Sequence, residues 1–396
     1  MSQLPPFNWP ALSNWDPVLV RRVGDLGHWV IGVGEADAPD DPAFRMITLD
    51  YGWPQAMDPA PDGGDAAREP WTRIWAPRYV FRIDPSGGRC LNAGDEDPAV
   101  RELLEPAPLP LRTAIDRPTR TWQLRTRQDA YLSQAMRIAE HLKRGDIYEV
   151  NFCVERWCHD PALDPMATFA RLLQRTDAPH AAFHRQGDRY ALCMSPERFL
   201  RVEQGKLLTE PIKGTRPRRP DAVADAQVQA ELRSDPKERA ENIMAVDVAR
   251  NDLGRVASPG SVHVAGLCTL RTFPNVHQLV STVTARLAPG RSAWDAVRSA
   301  FPMASMTGAP RVRAMEIIAA LEEVPRGLYS GALGFELPDG TLDLNVVIRT
   351  ITYDARSGRA SLFTGGAFTA MSDPLAEWAE CAVKARSVLD AIGDEG

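Results

Sequence analysis

The sequence predicts a fold of the mixed α and β class, and two observations support this prediction. The first 120 residues are rich in Pro, Gly, Asp and Trp and contain short strand-like runs such as HWVIGVG and RYVFRI, with no long helical period. Beyond them the apolar periodicity predicts strands alternating with helices over 125–144, 236–251, 310–322 and 374–391. A proline-rich connector over 105–118 marks the change, so we divide the chain into a β-rich part, 1–120, and a larger region, 121–396.

Composition and charge exclude several classes of protein. The 396 residues are 44% hydrophobic, enough for a substantial core, and carry 46 basic against 52 acidic side chains. The basic residues are scattered, which argues against a nucleic-acid-binding surface. The N-terminus lacks a signal-peptide pattern and no segment reaches the roughly 20 apolar residues of a membrane span, so we expect a cytoplasmic protein without membrane contacts. The six cysteines form no CxxC pair, which indicates reduced, buried thiols.

A predicted β-hairpin brings two reactive side chains close together. The stretch MSPERFLRVEQGKLLTEPIKGT has two β-rich arms joined at Gln204-Gly205, which is a turn signal. A two-residue turn places Glu197 opposite Ile212 and one position from the residue that faces Lys213. In a regular ladder such neighbours point to opposite faces, but prolines in both arms favour a bulge that would bring the two side chains together.

Two predicted helices share a start and a pattern of carboxylates. Each begins with Asp-Pro, in which the aspartate suits the N-cap and the proline the first turn. Each then presents two glutamates three residues apart on one face: Glu238 and Glu241 on one helix, Glu377 and Glu380 on the other. One interpretation is a pair of ordinary solvated helix faces. The other is a divalent cation held between the faces, and an all-oxygen ligand set favours Mg2+ over Zn2+.

Four further stretches carry residues suited to binding a substrate. FPMASMTGAPRVRAMEII runs through Thr307 into a predicted helix start, and GGAFTAMSDP offers closely spaced amides at Gly365 and Gly366, so both are suited to receive a carboxylate. Arg349 stands alone in the apolar strand LNVVIRTI, either in an internal salt bridge or as a forked clamp on a substrate carboxylate. Tyr329, in RGLYSGALGF, is either a core phenol or a ligand contact.

Taken in order, these motifs resemble those of the chorismate-utilising enzymes. The resemblance runs from about Thr126 to the C-terminus through RGDIYEVNF, SPERFL, PIKGT, ENIMAVDVARNDLGRV, VHQLVSTV, FPMASMTGAPRVRAMEII, LNVVIRTI and GGAFTAMSDPLAEWAE. It implies an α+β fold, a single unit built around a large β-sandwich core with surrounding helices as in anthranilate synthase component I, with the active site in a deep cleft. The N-terminal part, where relatives have a tryptophan pocket, matches only weakly.

One lysine decides which branch of the family the chain resembles. Anthranilate synthases carry a small residue at the position of Lys213, whereas aminodeoxychorismate synthases carry lysine there. Isochorismate and salicylate synthases have a lysine where this chain has Glu149. The resemblance therefore implies conversion of chorismate and ammonia to 4-amino-4-deoxychorismate, on the way to 4-aminobenzoate and folate.

The same resemblance implies the roles of the site residues. Lys213 is the nucleophile that attacks C2 of the chorismate ring, and Glu197 is the acid that protonates the departing C4 hydroxyl. A lysine attacks only as the free amine, so we expect a lowered pKa for Lys213, and burial is expected to keep Glu197 protonated. A magnesium ion that receives the ring carboxylate is assigned to Glu241 and Glu380, with Glu238 and Glu377 in or near its outer shell. The ring carboxylate pocket is completed by Thr307, Gly365, Gly366 and Lys384, and the enolpyruvyl carboxylate is assigned to Arg349 and Tyr329.

Three positions depart from the pattern of the family. Many relatives have histidine where this chain has Gln278, a third glycine where it has Ala367, and glutamine where it has Glu149. The first departure disfavours a histidine-dependent elimination and with it an anthranilate synthase. Ala367 is tolerable if its φ is negative.

The sequence also predicts partners. It contains no segment with the nucleophile-elbow cysteine of a glutaminase, so we expect ammonia from a separate glutamine amidotransferase subunit and onward conversion by an aminodeoxychorismate lyase. Two alternatives stay open: anthranilate synthase component I, and a non-catalytic module that binds chorismate or tryptophan.

Overall fold

The computed structural model describes residues 4–24, 26–37, 43–53, 71–107 and 120–394, and residues 108–118 of the predicted connector lie outside these ranges. Within them the chain forms the α-helices α1 (Pro98–Leu104), α2 (Gln128–Arg144), α3 (Pro165–Thr176), α4 (Ala222–Ser234), α5 (Pro236–Gly254), α6 (Ala293–Ala300), α7 (Arg311–Leu321) and α8 (Pro374–Ile392). The strands that precede α2 are β1 (Val18–Val23), β2 (His28–Glu35), β3 (Arg45–Leu49), β4 (Arg73–Trp75), β5 (Pro77–Asp84), β6 (Gly87–Cys90) and β7 (Gln123–Leu124). The strands that follow α2 are β8 (Glu149–His159), β9 (His180–Gln186), β10 (Arg189–Ser195), β11 (Arg198–Glu203), β12 (Lys206–Thr209), β13 (Ile212–Pro217), β14 (His263–Thr272), β15 (Val276–Arg286), β16 (Gly308–Ala309), β17 (Ala332–Glu336), β18 (Leu342–Val346), β19 (Thr350–Asp354) and β20 (Arg359–Phe368).

The strands form two large antiparallel sheets. The order in the first sheet is β16-β8-β20-β19-β10-β9-β1-β2-β5-β6, with β7 beside β8. The order in the second is β13-β15-β12-β11-β18-β17-β3-β4, with β14 beside β15. The N-terminal part supplies β1, β2, β5 and β6 to one sheet and β3 and β4 to the other, so it is built into the same unit as the rest of the chain. The boundary near residue 120 stays a prediction.

The two sheets pack face to face around an apolar core. Leu19 of β1 in the first sheet shares a buried cluster with Met46 and Leu333 of the second. A buried ion pair also crosses between the sheets, from Arg21 of β1 to Asp343 of β18 at 3.1 Å, because a charge removed from water needs a partner. The predicted α+β fold around a large β-sandwich is therefore confirmed.

Helices cover the sandwich and flank the cleft described below. The side chains of Val388 and Leu389 bury one face of α8 against the first sheet and α3. On the second sheet, α5 packs along β13 and β15. These two contacts hold the carboxylate-bearing helices in place on different sheets.

The four helices predicted from sequence periodicity are α2, α5, α7 and α8, each within three residues of its predicted bounds. The caps of three of these helices are formed by the residues that the sequence predicts. The Asp235 side chain accepts hydrogen bonds from two backbone amides of α5, Asp373 accepts one from α8, and Gly145 ends α2 in the left-handed conformation. Shorter or less periodic helices, α1, α3, α4 and α6, escaped prediction because packing rather than pattern stabilises such segments.

The sequence predicts that the cysteines are reduced and buried and that no segment spans a membrane. All six cysteines are free thiols; five are buried and Cys90 is partly buried. Among the described residues, no helix combines the length and apolarity that crossing a bilayer requires.

Candidate active site

A cleft of about 790 Å³ contains most of the residues that the sequence singles out. Its walls come from β13, from α5 and α8, from the turn between β10 and β11, and from β20. Nine predicted residues line it: Glu197, Lys213, Glu238, Glu241, Tyr329, Arg349, Gly365, Glu380 and Lys384. Residues from seven separate places in the sequence therefore meet in one cavity.

The predicted hairpin register is confirmed. Gln204 and Gly205 form the turn with φ of 50° and 71°, and Glu203 pairs with Lys206. Two positive φ values are what a two-residue turn between antiparallel strands requires. The hairpin ladder ends at Arg201, after which Glu197 lies in the turn that precedes β11.

Beyond this hairpin, β13 carries Lys213 into the cleft with an irregular register. The pairing of β13 with β15 shifts between Ile212 and Thr215, so a bulge lies at Lys213 and Gly214, in this ladder rather than between the two hairpin arms for which one was predicted. Gly214 has a φ of 91°, and a Cβ there would lie 3.2 Å from the Cβ of Glu238. The glycine beside Lys213 is therefore required by the bulge and by the close approach of α5.

Lys213 is ion-paired rather than free. Its Nζ donates a hydrogen bond of 2.5 Å to Oε1 of Glu149, and its side chain is 10% exposed. Burial alone would lower the pKa of Lys213, but the carboxylates of Glu149 and Glu241 outweigh burial and raise it above its ordinary value. The expected lowering of this pKa is therefore wrong for this structure, because no local pattern indicates that Glu149 reaches the lysine.

Glu197 is buried, and its pKa lies near neutral pH. Burial raises its pKa to about 7, although a hydrogen bond from Ser305 and the charge of Lys213 both oppose the shift. The Ser305 hydroxyl donates to Oε1 of Glu197 at 2.7 Å. A carboxyl group with a pKa near the working pH is suited to proton donation.

Two faces of α5 and α8 approach each other across the cleft, as the repeated carboxylate pattern suggested. Glu241 is buried, its Oε1 accepts no hydrogen bond among the described residues, and burial raises its pKa to about 7. A buried carboxylate oxygen without a donor is suited to ligate a cation. The residues present therefore fit a divalent ion at this position.

The cationic side chains of Lys237 and Arg216 lie close to these carboxylates. Lys237 Nζ lies 2.7 Å from Oε1 of Glu377 and 3.6 Å from Oε1 of Glu241, while Arg216 pairs with Glu238 at 2.6 Å. No group of three or more His, Cys, Asp or Glu side chains in the described ranges is arranged to hold a metal ion. The carboxylates are thus gathered around ammonium and guanidinium groups, and a metal would have to displace them.

On α8, Glu380 and Lys384 form an i,i+4 pair at 2.7 Å. Lys384 Nζ also donates to the carbonyl of Gly365 at 2.7 Å, which ties α8 to β20. Burial lowers the pKa of Lys384, but Glu380 outweighs it and the net shift is upward. The cleft therefore presents a fixed ammonium group beside the Gly365 backbone.

Arg349 lies in the cleft and forms no salt bridge with another described residue. Among the described residues no carboxylate lies within ion-pair distance of it, and Glu197 is the acidic group whose charge acts on it. Its φ of 51° is in the left-handed region, which is rare for a residue other than glycine. A guanidinium group held in the cleft without a carboxylate partner favours the substrate-clamp interpretation.

Three predicted residues do not line the cleft but lie behind its wall: Thr307, Gly366 and Glu377. Thr307 is fully buried and its hydroxyl donates to the carbonyl of Met303. Glu377 is buried against Gly366, where a Cβ would lie 2.6 Å from its Oε2. Tyr329, by contrast, lines the cleft while stacking on Phe363 at 5.4 Å.

The departures from the family pattern also lie at the cleft. Gln278 lines it and donates to the hydroxyl of Thr215, while its Oε1 is buried without a hydrogen-bond partner among the described residues. Ala367 lines it from the regular ladder of β20, opposite Asn151, and its backbone is not in the left-handed region. The extra methyl group is therefore accommodated without strain.

Sequence reasoning missed two charged partners. The sequence marks Glu149 only as a departure from glutamine, and its contact with Lys213 joins β8 of the first sheet to β13 of the second, a packing that the sequence does not reveal. Lys237 was not considered, although its i,i+4 spacing from Glu241 was a visible signal.

Comparison with known proteins identifies the family of the chain. The family described as chorismate binding enzyme matches residues 35–390. The chain is 44% identical over 378 residues to aminodeoxychorismate synthase of Streptomyces griseus, covering 93% of this chain and 49% of that protein. It is 41% identical to aminodeoxychorismate synthase component 1 of Escherichia coli, over 69% of this chain and 60% of that protein. It is also 40% identical to anthranilate synthase component 1 of Streptomyces coelicolor, over 74% of this chain and 58% of that protein.

These curated relatives are longer than the region matched, because the chain spans about half to three fifths of their length. Solved structures with the same fold include the menaquinone-specific isochorismate synthase of Escherichia coli, with a TM-score of 0.78 and 18% identity over 99% of this chain and 96% of that one. Anthranilate synthase component I of Streptococcus pneumoniae superposes with a TM-score of 0.72 and 23% identity, covering 87% of this chain and 80% of that one.

Proposed function

The chain belongs to the chorismate-binding enzymes, and from this premise we propose that it is an aminodeoxychorismate synthase, which converts chorismate and ammonia to 4-amino-4-deoxychorismate. The observation that carries the proposal is the position of Lys213, whose side chain enters the cleft within the electrostatic reach of the buried acid Glu197. An amine and a protonated carboxyl in one cavity supply the two groups that a displacement at the ring requires.

In the proposed reaction, Lys213 and Glu197 act on opposite ends of the conjugated diene of the ring. The Lys213 amine forms a bond to ring C2, the two ring double bonds shift, and the C4–oxygen bond breaks. Glu197 gives its proton to the departing hydroxyl, which leaves as water. Ammonia then adds at C4 and returns a proton to Glu197, the two double bonds shift back, and the bond between C2 and the lysine nitrogen breaks.

The carboxylates of α5 and α8 would hold a magnesium ion. Glu241 and Glu380 are the proposed ligands, with Glu238 and Glu377 nearby. When bound, Mg2+ neutralises the ring carboxylate and draws negative charge from the ring. Lys237 and Arg216 must then release the carboxylates with which they now pair.

The remaining cleft residues orient the two carboxylates of the substrate. Arg349 offers a planar fork of donors for the enolpyruvyl carboxylate, with Tyr329 beside it. Lys384 and the backbone at Gly365 and Gly366 are proposed for the ring carboxylate, with Thr307 supporting that wall from behind. Holding both ends of the substrate fixes C2 within reach of the lysine.

Ammonia is proposed to come from a separate glutamine amidotransferase subunit. The name component 1 of relatives such as the Escherichia coli protein supports an assembly of more than one subunit. An aminodeoxychorismate lyase would convert the product to 4-aminobenzoate, a folate precursor, and the proposed setting is the cytoplasm.

Product identification tests the proposal. The chain is incubated with chorismate, Mg2+ and ammonium, with and without an aminodeoxychorismate lyase, and the products are separated. We expect 4-aminobenzoate only when the lyase is present. Fluorescent anthranilate without lyase would instead identify anthranilate synthase component I, which the relative from Streptomyces coelicolor makes the second candidate. Unchanged chorismate in every reaction would favour the non-catalytic module.

A further inference from the structure

We propose that Glu149 is a positioning residue that holds Lys213 toward the substrate and carries the lysine proton during the reaction. This inference rests on the proposed function and adds a residue to it. It follows from the 2.5 Å contact between Lys213 Nζ and Glu149 Oε1 and from the way the fold fixes the carboxylate.

Glu149 is held firmly by its strand. It is the first residue of β8, is 3% exposed, and its backbone pairs with Ala309 of β16. Gly308 packs so closely that a Cβ there would lie 2.1 Å from the Glu149 carbonyl oxygen. The neighbouring amide of Tyr148 donates to Ala309 at 2.7 Å. The backbone on both sides of Glu149 is therefore immobilised, and its side chain fixes where the lysine nitrogen can lie.

Lys213 faces charged groups from four other elements. Glu149 of β8 makes the direct hydrogen bond, and Glu241 of α5 and Glu197 of the turn before β11 add negative charge at longer range. On α8, Glu380 and Lys384 are close enough to interact electrostatically with the lysine. Of these groups, Glu149 is the one in hydrogen-bond contact, so it is the acceptor placed to receive a proton from the lysine nitrogen.

The proton balance of the reaction requires such an acceptor. The Lys213 ammonium first passes one proton to Glu149, which converts the ion pair to a neutral amine and a carboxylic acid. When the amine attacks C2, the new secondary ammonium holds two protons on nitrogen. When ammonia adds at C4, its surplus proton passes to the Glu197 carboxylate, which restores the acid that protonated the departing hydroxyl, and the C2–nitrogen bond breaks, returning Lys213 as a neutral amine. Glu149 then returns its proton to the amine, so the residues end as they began.

A structural ion pair would have different consequences. A carboxylate with a purely structural role would also raise the pKa of Lys213, but its loss would leave turnover at or above the parental rate. If Glu149 accepts the lysine proton during the reaction, it lowers the reactivity of the Lys213 amine in the resting enzyme and raises the rate of turnover. Removing the carboxylate should therefore move the two properties in opposite directions.

The test measures acylation of Lys213 with acetic anhydride, quantified by peptide mass spectrometry relative to the exposed Lys206 of β12. In Glu149→Gln we expect Lys213 to react about tenfold faster at pH 8 than in the parent, since each unit by which a pKa falls gives about ten times more free amine. The matched control is Glu155→Gln, which removes another buried carboxylate of β8 that pairs with Arg359 at 3.0 Å. Lys213 should react in this variant at the parental rate.

Turnover is measured on the same proteins. Glu149→Gln should lose about a hundredfold or more in kcat, the range for loss of a proton-transfer group. Glu149→Asp keeps a carboxylate, so its Lys213 should acylate at nearly the parental rate and its turnover should exceed that of the Gln variant.

Three outcomes would overturn the inference: Lys213 acylation in Glu149→Gln no faster than in Glu155→Gln, turnover of Glu149→Gln equal to the parent's, or Glu149→Asp acylating as fast as Glu149→Gln. Acylation needs no chorismate, so it reports on the pair even if the parent makes no aminodeoxychorismate. A parent without that product would refute the proposed function, whereas an active parent with an unaffected Gln variant would refute the role of Glu149 alone.

Discussion

Lys237 Nζ lies 2.7 Å from Oε1 of Glu377, so a single ammonium group joins α5 to α8 across the cleft. The same nitrogen lies 3.6 Å from Oε1 of Glu241, the carboxylate oxygen that accepts no hydrogen bond among the described residues. The lysine therefore occupies part of the space in which a cation shared by the two helices would lie. This relationship and the contacts around it lead to five predictions.

Lys237→Met should lower the unfolding free energy of the metal-free protein, and this loss should be smaller when Mg2+ is present. The variant leaves carboxylates of α5 and α8 without their counter-ion, and because Lys237 is about one-third exposed we expect a loss of only about 1 kcal/mol. Thermal unfolding with and without Mg2+ measures the effect. Lys206→Met, at an exposed lysine of β12, serves as the control. An equal loss in both conditions would contradict the shared location of lysine and metal.

Glu241→Gln and Glu380→Gln should each lose most activity and most of the rise in Tm caused by Mg2+, while keeping the fold. An amide oxygen carries no charge and binds Mg2+ far more weakly than a carboxylate. Thermal shift across a Mg2+ titration gives the measurement, with circular dichroism to check folding. Glu231→Gln, on the exposed surface of α4, should respond to Mg2+ like the parent. Near-normal turnover of either cleft variant at limiting Mg2+ would rule out the metal assignment.

Glu197→Gln should inactivate the enzyme and change how stability depends on pH. Burial raises the pKa of Glu197 to about 7 from 4.5, so folding of the parent becomes less favourable as pH rises between those values and then levels off. The Gln variant lacks this change, so its stability relative to the parent should grow by about 3 kcal/mol from pH 4.5 to pH 8. Turnover should fall about a hundredfold or more. Chemical denaturation at a series of pH values checks the first effect, and parallel pH curves would show that Glu197 is ionised in the fold.

Lys213→Arg should form no covalent adduct with chorismate. In the parent, withholding ammonia should allow an adduct of chorismate less one water to accumulate on the peptide that contains Lys213, and ammonium should discharge it. Guanidinium stays protonated and cannot attack the ring. Intact-protein mass spectrometry and peptide mapping detect the adduct. If the Arg variant made aminodeoxychorismate at close to the parental rate, covalent catalysis by Lys213 would be excluded.

Arg349→Lys should weaken the apparent affinity for chorismate by about 1.5 to 3 kcal/mol, the range for hydrogen bonds to charged groups. Lysine keeps the charge but loses the planar fork. The KM for chorismate, measured at saturating ammonium, gives the result. Arg356→Lys, at an exposed arginine in the turn after β19, is the control. An affinity equal to the parent's would return Arg349 to a structural role.

Part of the site could be predicted from local sequence patterns. The register that brings Glu197 near β13 follows from a two-residue turn at Gln204-Gly205, and the N-caps of α5 and α8 follow from Asp-Pro. These features depend on residues close together in the chain, where sequence patterns are informative.

Long-range contacts could not be predicted in the same way. Glu149 and Lys213 are separated by 64 residues, and Lys237 and Glu377 by 140. Each contact depends on how two sheets and two helices pack, which no local pattern specifies. The pKa of Lys213 was mispredicted for this reason, because burial was visible in the apolar neighbours and the opposing carboxylate was not.

Strand β15 has consequences for the mobility of the nucleophile. It is hydrogen-bonded along one edge to β14 and along the other to β12 and β13. The segment that carries Lys213 is less firmly held, because among the described strands β13 ends the order of the second sheet and pairs with β15 alone. Its ladder can open without breaking another one, and such local openings require less free energy than global unfolding. Hydrogen–deuterium exchange of the β13 amides bonded to β15 should therefore be faster than exchange of the β15 amides bonded to β12. The reactive lysine is carried by the outermost strand of its sheet, so the backbone of the nucleophile can take part in the adjustment of the cleft to an arriving substrate.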